Sequence, residues 1–173
     1  MRNKRFIIGS IIVVFIIGVI VYKTNQPYGN TFEARQRILS KPSNSAIILS
    51  EIIIENNIIS EFIDQQVGYG YAQFEANDHG NYMLKTKMVR TQESEPIVTD
   101  IIVIGDKFYE IFMCYKSGLE YVEVIYTDDT TGNKLEPIRI EMNNGRVALV
   151  EAPEYSSYTR DVAFYDNKGN KFE

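Results

Sequence analysis

The chain has 173 residues, with 18 basic and 23 acidic side chains and a net charge of −5 at neutral pH. Its one cysteine, Cys114, excludes an internal disulfide, so the fold has to be held together by packing. An acidic surface repels the phosphates of nucleic acids, so the composition argues against a nucleic-acid-binding protein.

The N-terminal stretch combines a basic start with a long apolar run. Arg2, Lys4 and Arg5 precede the uncharged residues 6–22, which as a helix would span about 26 Å. This length is short but workable for a bilayer core of roughly 30 Å, with Lys23 extending outward to the headgroups. A cleaved secretory signal is the alternative, but no A-x-A-like cleavage site follows the run. We therefore expect a retained transmembrane helix over 6–22 that contacts membrane lipid.

The distribution of basic residues around this run predicts its orientation. Three basic residues precede the run and one follows it directly, so the positive-inside rule assigns residues 1–5 to a cytoplasmic tail. Residues 23–31 are polar, contain Pro27 and Gly29, and are typical of a linker. The predicted localisation is the cell membrane, with a single pass and an extracellular C-terminal domain. Apart from the four basic residues around the anchor, that outer part carries 14 basic and 23 acidic side chains.

Residues 32–57 are predicted to form a helical region. Residues 32–39 favour a short helix that ends before Pro42, because a residue preceding proline avoids helical angles. A second helix is predicted over 45–56, where Ile48 and Ile52 recur four residues apart. The many isoleucines of this segment also suit a strand.

From residue 58 to residue 173 the apolar pattern changes to period two, which predicts a β domain. Strands over 67–75 and 81–89 are separated by turn residues and form a predicted hairpin. Gly105–Asp106 suits a type II′ turn that pairs Val103 with Phe108 and sets Ile101 opposite Glu110. A further strand is predicted over 119–126.

The C-terminal part contains two further turn signals. Asn144–Gly145 predicts a hairpin in which Met142 opposes Val147 and Ile140 opposes Leu149. Lys168–Gly169 predicts a closing hairpin. Eight or nine short strands with these turns indicate a mainly-β fold, an antiparallel sandwich-like domain or a curled sheet, with the early helix packed on one edge. The Ig-like sandwich is one form that this pattern allows.

No catalytic, cofactor-binding or metal-binding residues are predicted. The single histidine, His79, lies in a predicted turn, and one histidine with one cysteine cannot supply the usual zinc ligands. The acidic loop 128–136 lacks the spacing of a calcium-binding loop. Cys114 lies in an apolar stretch and is predicted to be a buried core residue.

Tyrosine is the enriched residue type, and most tyrosines are predicted to lie in the core or on a sheet face. The segment 152–161 is the candidate recognition loop, because it is tyrosine-rich and predicted to be exposed. Its candidate contact residues are Tyr155, Tyr158 and Arg160.

Two stretches, "GYGYAQFE…GNYML" and "VAFYDNKGNKFE", resemble small membrane-anchored proteins of unknown function from Gram-positive, spore-forming bacteria. The resemblance covers residues 67–89 and 145–173. It implies one membrane span, a short helical region and a β-rich outer domain at a bacterial cell surface. It carries over no catalytic residue.

The sequence favours a non-enzymatic extracytoplasmic module that binds a protein or a component of the cell envelope, without a cofactor. One alternative is an envelope-directed hydrolase that uses carboxylates. Another is a sensor or regulator that acts through a membrane partner.

Overall fold

The computed structural model describes residues 28–41, 45–91, 97–114, 118–142, 147–154 and 157–172. The predicted span 6–22 and most of the linker lie outside these ranges. The described residues form one short helix and antiparallel strands, which confirms the mainly-β class. In chain order the elements are α1 (Phe32–Leu39), β1 (Ala46–Ile54), β2 (Asn57–Asp64), β3 (Gly68–Ala76), β4 (Tyr82–Arg90), β5 (Ile97–Ile104), β6 (Lys107–Cys114), β7 (Leu119–Asp128), β8 (Ile138–Glu141), β9 (Val147–Glu151) and β10 (Tyr158–Asp166).

The strands are divided among three antiparallel sheets. The first sheet is a meander with the order β1-β2-β3-β4. The middle sheet has the order β5-β6-β9, and the third sheet has the order β10-β7-β8. Because β9 joins β6 while β8 joins β7, the chain changes sheet between these two strands.

Strand β6 of the middle sheet is buried on both faces from Tyr109 to Cys114. On one face, Ile111 of β6 belongs to a cluster with Tyr71 of the first sheet. On the other face, Phe112 and Cys114 pack against Val124 of the third sheet. Strand β6 is therefore apolar at consecutive positions, which is the pattern expected of a strand covered from both sides.

Helix α1 covers the outer face of the first sheet, so the layers follow the order helix, first sheet, middle sheet, third sheet. Leu39 at the end of the helix is fully buried with Phe62 and Phe74. The Thr31 side chain caps the start of the helix by accepting a hydrogen bond from the backbone N–H of Ala34. The predicted helix over 32–39 is confirmed.

The predicted second helix over 45–56 is wrong, because this segment forms strand β1. A bulge between Ile48 and Ser50 shifts the alternation of side chains. Ile48 faces the helix, whereas Ile52 and Ile54 beyond the bulge face the middle sheet. The fourfold spacing of isoleucines thus arises from two strand faces, and the β domain begins at Ala46 rather than at residue 58.

The turn at Gly105–Asp106 forms as predicted. Gly105 has a φ of +61°, and Val103 pairs with Phe108 in the expected register. Ile101 lies opposite Glu110, also as expected. Glu110 is fully buried, however, so its carboxylate needs partners from another layer.

The predicted hairpin around Asn144–Gly145 is wrong. Ile140 pairs with Val122, and Leu149 pairs with Ile111, so β8 and β9 lie in different sheets. The turn residues themselves lie outside the described residues. Both faces of β9 are apolar and buried, and only a place in the middle sheet covers both of them.

Candidate functional site

Two of the candidate recognition residues, Tyr158 and Arg160, lie on β10 and bind the buried Glu110. The Tyr158 hydroxyl donates a hydrogen bond to Oε1 of Glu110 at 2.9 Å. Nη1 of Arg160 forms an ion pair with Oε2 at 2.7 Å, and Nη2 donates to Oγ1 of Thr99 at 2.9 Å. These contacts join the third sheet to the middle sheet. Tyr155 lies outside the described residues.

The surroundings of Glu110 keep the nearby phenols neutral. Burial, followed by the hydrogen bond to Glu110, raises the pKa of Tyr158 to about 12. Burial and the negative charge of Glu110 also raise the pKa of Tyr126, whose buried hydroxyl has no hydrogen-bond partner among the described residues. Glu110 is inaccessible to solvent, so this cluster fits a structural role better than contact with a ligand.

The other residue types that could carry chemistry are held in turns or in the core. The backbone N–H of His79 donates to Oδ1 of Asn77 within an exposed turn. Cys114 is fully buried. Asp128 accepts a hydrogen bond from Oγ1 of Thr131, and this contact is the main reason that the pKa of Asp128 is lowered. Across the described ranges, no three His, Cys, Asp or Glu side chains are grouped so as to hold a metal ion.

A groove with a volume of about 570 Å³ lies where edge strands of all three sheets meet. Among the described strands, each of β1, β8 and β9 has one neighbour in its sheet, so none of these strands pairs with its second backbone edge. The groove is lined by residues 50–54 of β1, 140–142 at β8 and 147–149 of β9. Because the middle sheet lies between the other two, β9 forms the floor of the groove and β1 and β8 form its walls.

Most of the groove surface is apolar. Ile52 and Ile54 of β1 are only partly buried, and so are Ile140 of β8 and Leu149 of β9. Partly exposed aliphatic side chains from three layers therefore converge on one space. Such a lining is typical of a binding site in proteins.

The backbone of β9 alternates between groups bonded to β6 and groups directed into the groove. The N–H of Ala152 donates to the carbonyl of Phe108 at 2.8 Å, which marks that pair as hydrogen-bonded. The antiparallel register then makes Ala148 a bonded position as well. The N–H and C=O groups of Val147 and Leu149 consequently point away from β6.

The two carboxylates on the strand segments that border the groove both have arginine partners. Glu51 receives two hydrogen bonds from Arg35, at 2.7 Å and 2.6 Å, and one from the Ser60 hydroxyl at 2.7 Å. Glu141 pairs with Arg139 at 2.6 Å. Strand alternation directs both carboxylates away from the face that carries Ile52 and Ile140, so the groove presents an apolar surface.

Sequence reasoning missed this groove, because the groove depends on the assignment of β8 and β9 to different sheets. The available signal was the run "VALV" at residues 147–150, which is apolar at every position and therefore typical of a strand covered on both faces.

Comparisons with protein-family models, with curated proteins and with solved structures gave no match to this chain. The fold and the site therefore have to be interpreted from the chain itself. Within the described residues, no helix has the length and apolar character needed to cross a bilayer.

Proposed function

We propose that this chain is a membrane-anchored, extracytoplasmic binding domain whose contact surface is the groove between β1, β8 and β9. The observation that carries the proposal is the convergence of three strand edges and their aliphatic side chains on one space. The partner in this proposal is a protein or a component of the cell envelope.

The membrane part of the proposal comes from the sequence. The basic residues before the run 6–22 and the length of that run support a single-pass anchor with residues 1–5 in the cytoplasm. The stack of three sheets is compatible with the expected sandwich-like domain, and an Ig-like strand arrangement stays a prediction.

The groove also bears on the hydrolase alternative, because the strand segments that border it carry Glu51 and Glu141. A pair of catalytic carboxylates needs oxygens that can reach the substrate and exchange protons. Both oxygens of Glu51 are already engaged by Arg35 and Ser60. If the full chain cleaves a glycan or a peptide and a Glu51→Gln variant loses this activity, the hydrolase alternative is supported. If the unmodified chain has no such activity, the hydrolase alternative is excluded.

Localisation can be tested in cells that produce the full chain. We expect the protein to stay in the membrane pellet after a carbonate wash and to be accessible to protease added outside the cell. Release by carbonate, or protection from the protease, would contradict the anchored topology.

The contact surface can be tested by placing a photo-crosslinking amino acid at one of two isoleucines. Ile52 lines the groove and its partly exposed side chain faces the layer of the middle sheet, whereas Ile101 lies on β5, at the other edge of the middle sheet, and is 49% exposed. We expect a discrete crosslinked product from position 52 and none from the control position 101. Equal products from both positions, or none from position 52, would contradict a specific groove.

A further inference from the structure

We propose that the groove binds an extended, uncharged, apolar segment of a partner protein, and that this segment adds a strand to the middle sheet by pairing with β9. This inference rests on the proposed binding function and specifies the form of the ligand. Strand addition of this kind uses backbone hydrogen bonds for affinity and side-chain pockets for specificity.

The groove lies in the layer of the middle sheet, beside β9. The first sheet has four strands and the middle sheet has three. Ile52 and Ile54 face the layer of the middle sheet, but they remain partly exposed beyond β9. Ile140 is partly exposed on the opposite wall. A strand placed beside β9 would occupy the layer between these side chains and would be covered on both faces.

The two edges of the middle sheet differ in how their outward-facing backbone groups are bonded. At the β5 edge, the carbonyl of Val103 accepts a hydrogen bond from Nε2 of Gln73 at 2.8 Å. At the same edge, the N–H of Ile101 donates to Oδ1 of Asp100 at 2.8 Å. Side chains thus occupy outward-facing backbone groups at this edge, which is a common protection of edge strands.

The β9 edge has no comparable protection within the described part of the chain. No side chain there bonds to the backbone of Val147 or Leu149, although the register directs their N–H and C=O groups outward. Backbone donors and acceptors beside an apolar surface are unfavourable unless a partner or water satisfies them. An added strand would supply such partners.

The lining of the groove favours an apolar, uncharged occupant. The walls on both sides of the groove are aliphatic, so successive side chains of an added strand would enter apolar surroundings on either face. Glu51 and Glu141 already have arginine partners, so a charged side chain in the occupant would lack a counter-ion. The groove volume of about 570 Å³ lies within the usual range for binding sites.

A second copy of this chain is a poorer occupant than a partner protein. Every described strand is already hydrogen-bonded within one of the three sheets. Inserting one of those strands into the groove of another copy would require it to leave its own core.

The backbone contribution can be tested with the full chain in lipid nanodiscs and a fluorescent peptide. The probe is a segment of alternating valine and isoleucine with lysines at both ends for solubility. The control peptide has the same sequence, but its central backbone amides are N-methylated and cannot donate. Fluorescence anisotropy should show at least about tenfold weaker binding of the methylated peptide, equivalent to ~1.4 kcal/mol. Equal affinities would overturn strand addition.

The location of binding can be tested with two matched substitutions. Leu149→Lys introduces a charge at the floor of the groove, whereas Ile101→Lys introduces the same charge at the opposite edge of the same sheet. We expect the first variant to lose at least about tenfold in peptide affinity and the second to bind as the unmodified chain does. Equal effects of the two substitutions would overturn the assignment.

Hydrogen exchange provides a readout that does not depend on the folding of a variant. Addition of the unmethylated peptide to the unmodified chain should protect the amides of Val147 and Leu149. Protection elsewhere without protection of these amides would overturn the proposal, as would concentration-dependent dimerisation that the Leu149→Lys substitution abolishes.

The outcomes separate strand addition from the broader binding function. A specific crosslink from position 52 in cells, together with equal affinities for the two peptides, would mean that the groove binds in another manner. Absence of a specific crosslink from position 52 would instead contradict the binding function itself.

Discussion

Removal of the Arg160 side chain should destabilise the protein more than removal of any comparable exposed cation. Arg160 is the cationic partner of Glu110, whose carboxylate is completely buried between the middle and third sheets. An Arg160→Ala substitution would leave this carboxylate with the hydroxyl of Tyr158 but without a positive charge.

The expected cost follows from the burial of the pair. Breaking a buried ion pair by removing one partner typically costs about 3–5 kcal/mol. The Arg160 side chain is 27% exposed, so water can partly replace it, and we expect about 2–3 kcal/mol. Lys107→Ala is the matched control, because Lys107 pairs with Glu151 and both side chains are 45% exposed. Its expected cost is about 0–1 kcal/mol.

The assay is urea unfolding of the full chain in detergent micelles, followed by far-ultraviolet circular dichroism. Adding Glu110→Gln to the Arg160→Ala variant should restore part of the lost stability, because it removes the unpaired charge and keeps a partner for Tyr158. If Arg160→Ala costs no more than Lys107→Ala, or if the double variant is less stable than Arg160→Ala alone, the carboxylate does not depend on its cation.

Three further predictions concern a strand contact, a titration and the second buried ion pair. A methyl group at Gly70 would overlap the backbone carbonyl of Met88, so Gly70→Ala should cost about 1–3 kcal/mol; an unchanged urea midpoint would contradict this close approach. The pKa of Tyr158 is raised to about 12, so its contribution to stability is complete below the ordinary tyrosine pKa of about 10 and is lost as the pH rises toward 12. Tyr158→Phe should therefore remove a late step from the tyrosinate absorbance titration, and an identical titration would refute the assignment. Arg35→Met would leave the largely buried Glu51 without its bidentate partner, and thermal unfolding should show a loss of about 2–4 kcal/mol; a loss no larger than that of Lys107→Ala would argue against it.

The parts of the fold that depend on neighbours in sequence could be predicted from the sequence. The turn at Gly105 fixes the pairing of β5 with β6, because a two-residue loop allows one register. The end of helix α1 before Pro42 follows from the backbone restrictions that proline imposes. In both cases the deciding residues lie within a few positions of one another.

The parts that depend on distant contacts could not be predicted in this way. The bulge near Ser50 reverses the alternation of β1, and its isoleucines consequently imitate the spacing of a helix. The separation of β8 from β9 depends on burial of both faces of β9 by two other sheets. The turn signal at Asn144–Gly145 therefore predicted a pairing of β8 with β9 that does not form.

The candidate site shows the same division. Tyr158 and Arg160 could be selected from the sequence because they lie in a tyrosine-rich segment. Their common partner Glu110, however, lies 48 residues before Tyr158. Without that partner they resemble a recognition surface, and with it they join two sheets. The groove involves strands that are distant in the chain, and the apolar run 147–150 marks only one of them.

Amide hydrogen exchange of the unliganded full chain, resolved residue by residue along β9, tests the open edge most directly. The account predicts an alternation, with fast exchange at Val147 and Leu149 and slow exchange at Ala148 and Val150, because only the second pair donates to β6. Uniform protection of all four amides would mean that the edge is already covered, and it would contradict the central claim.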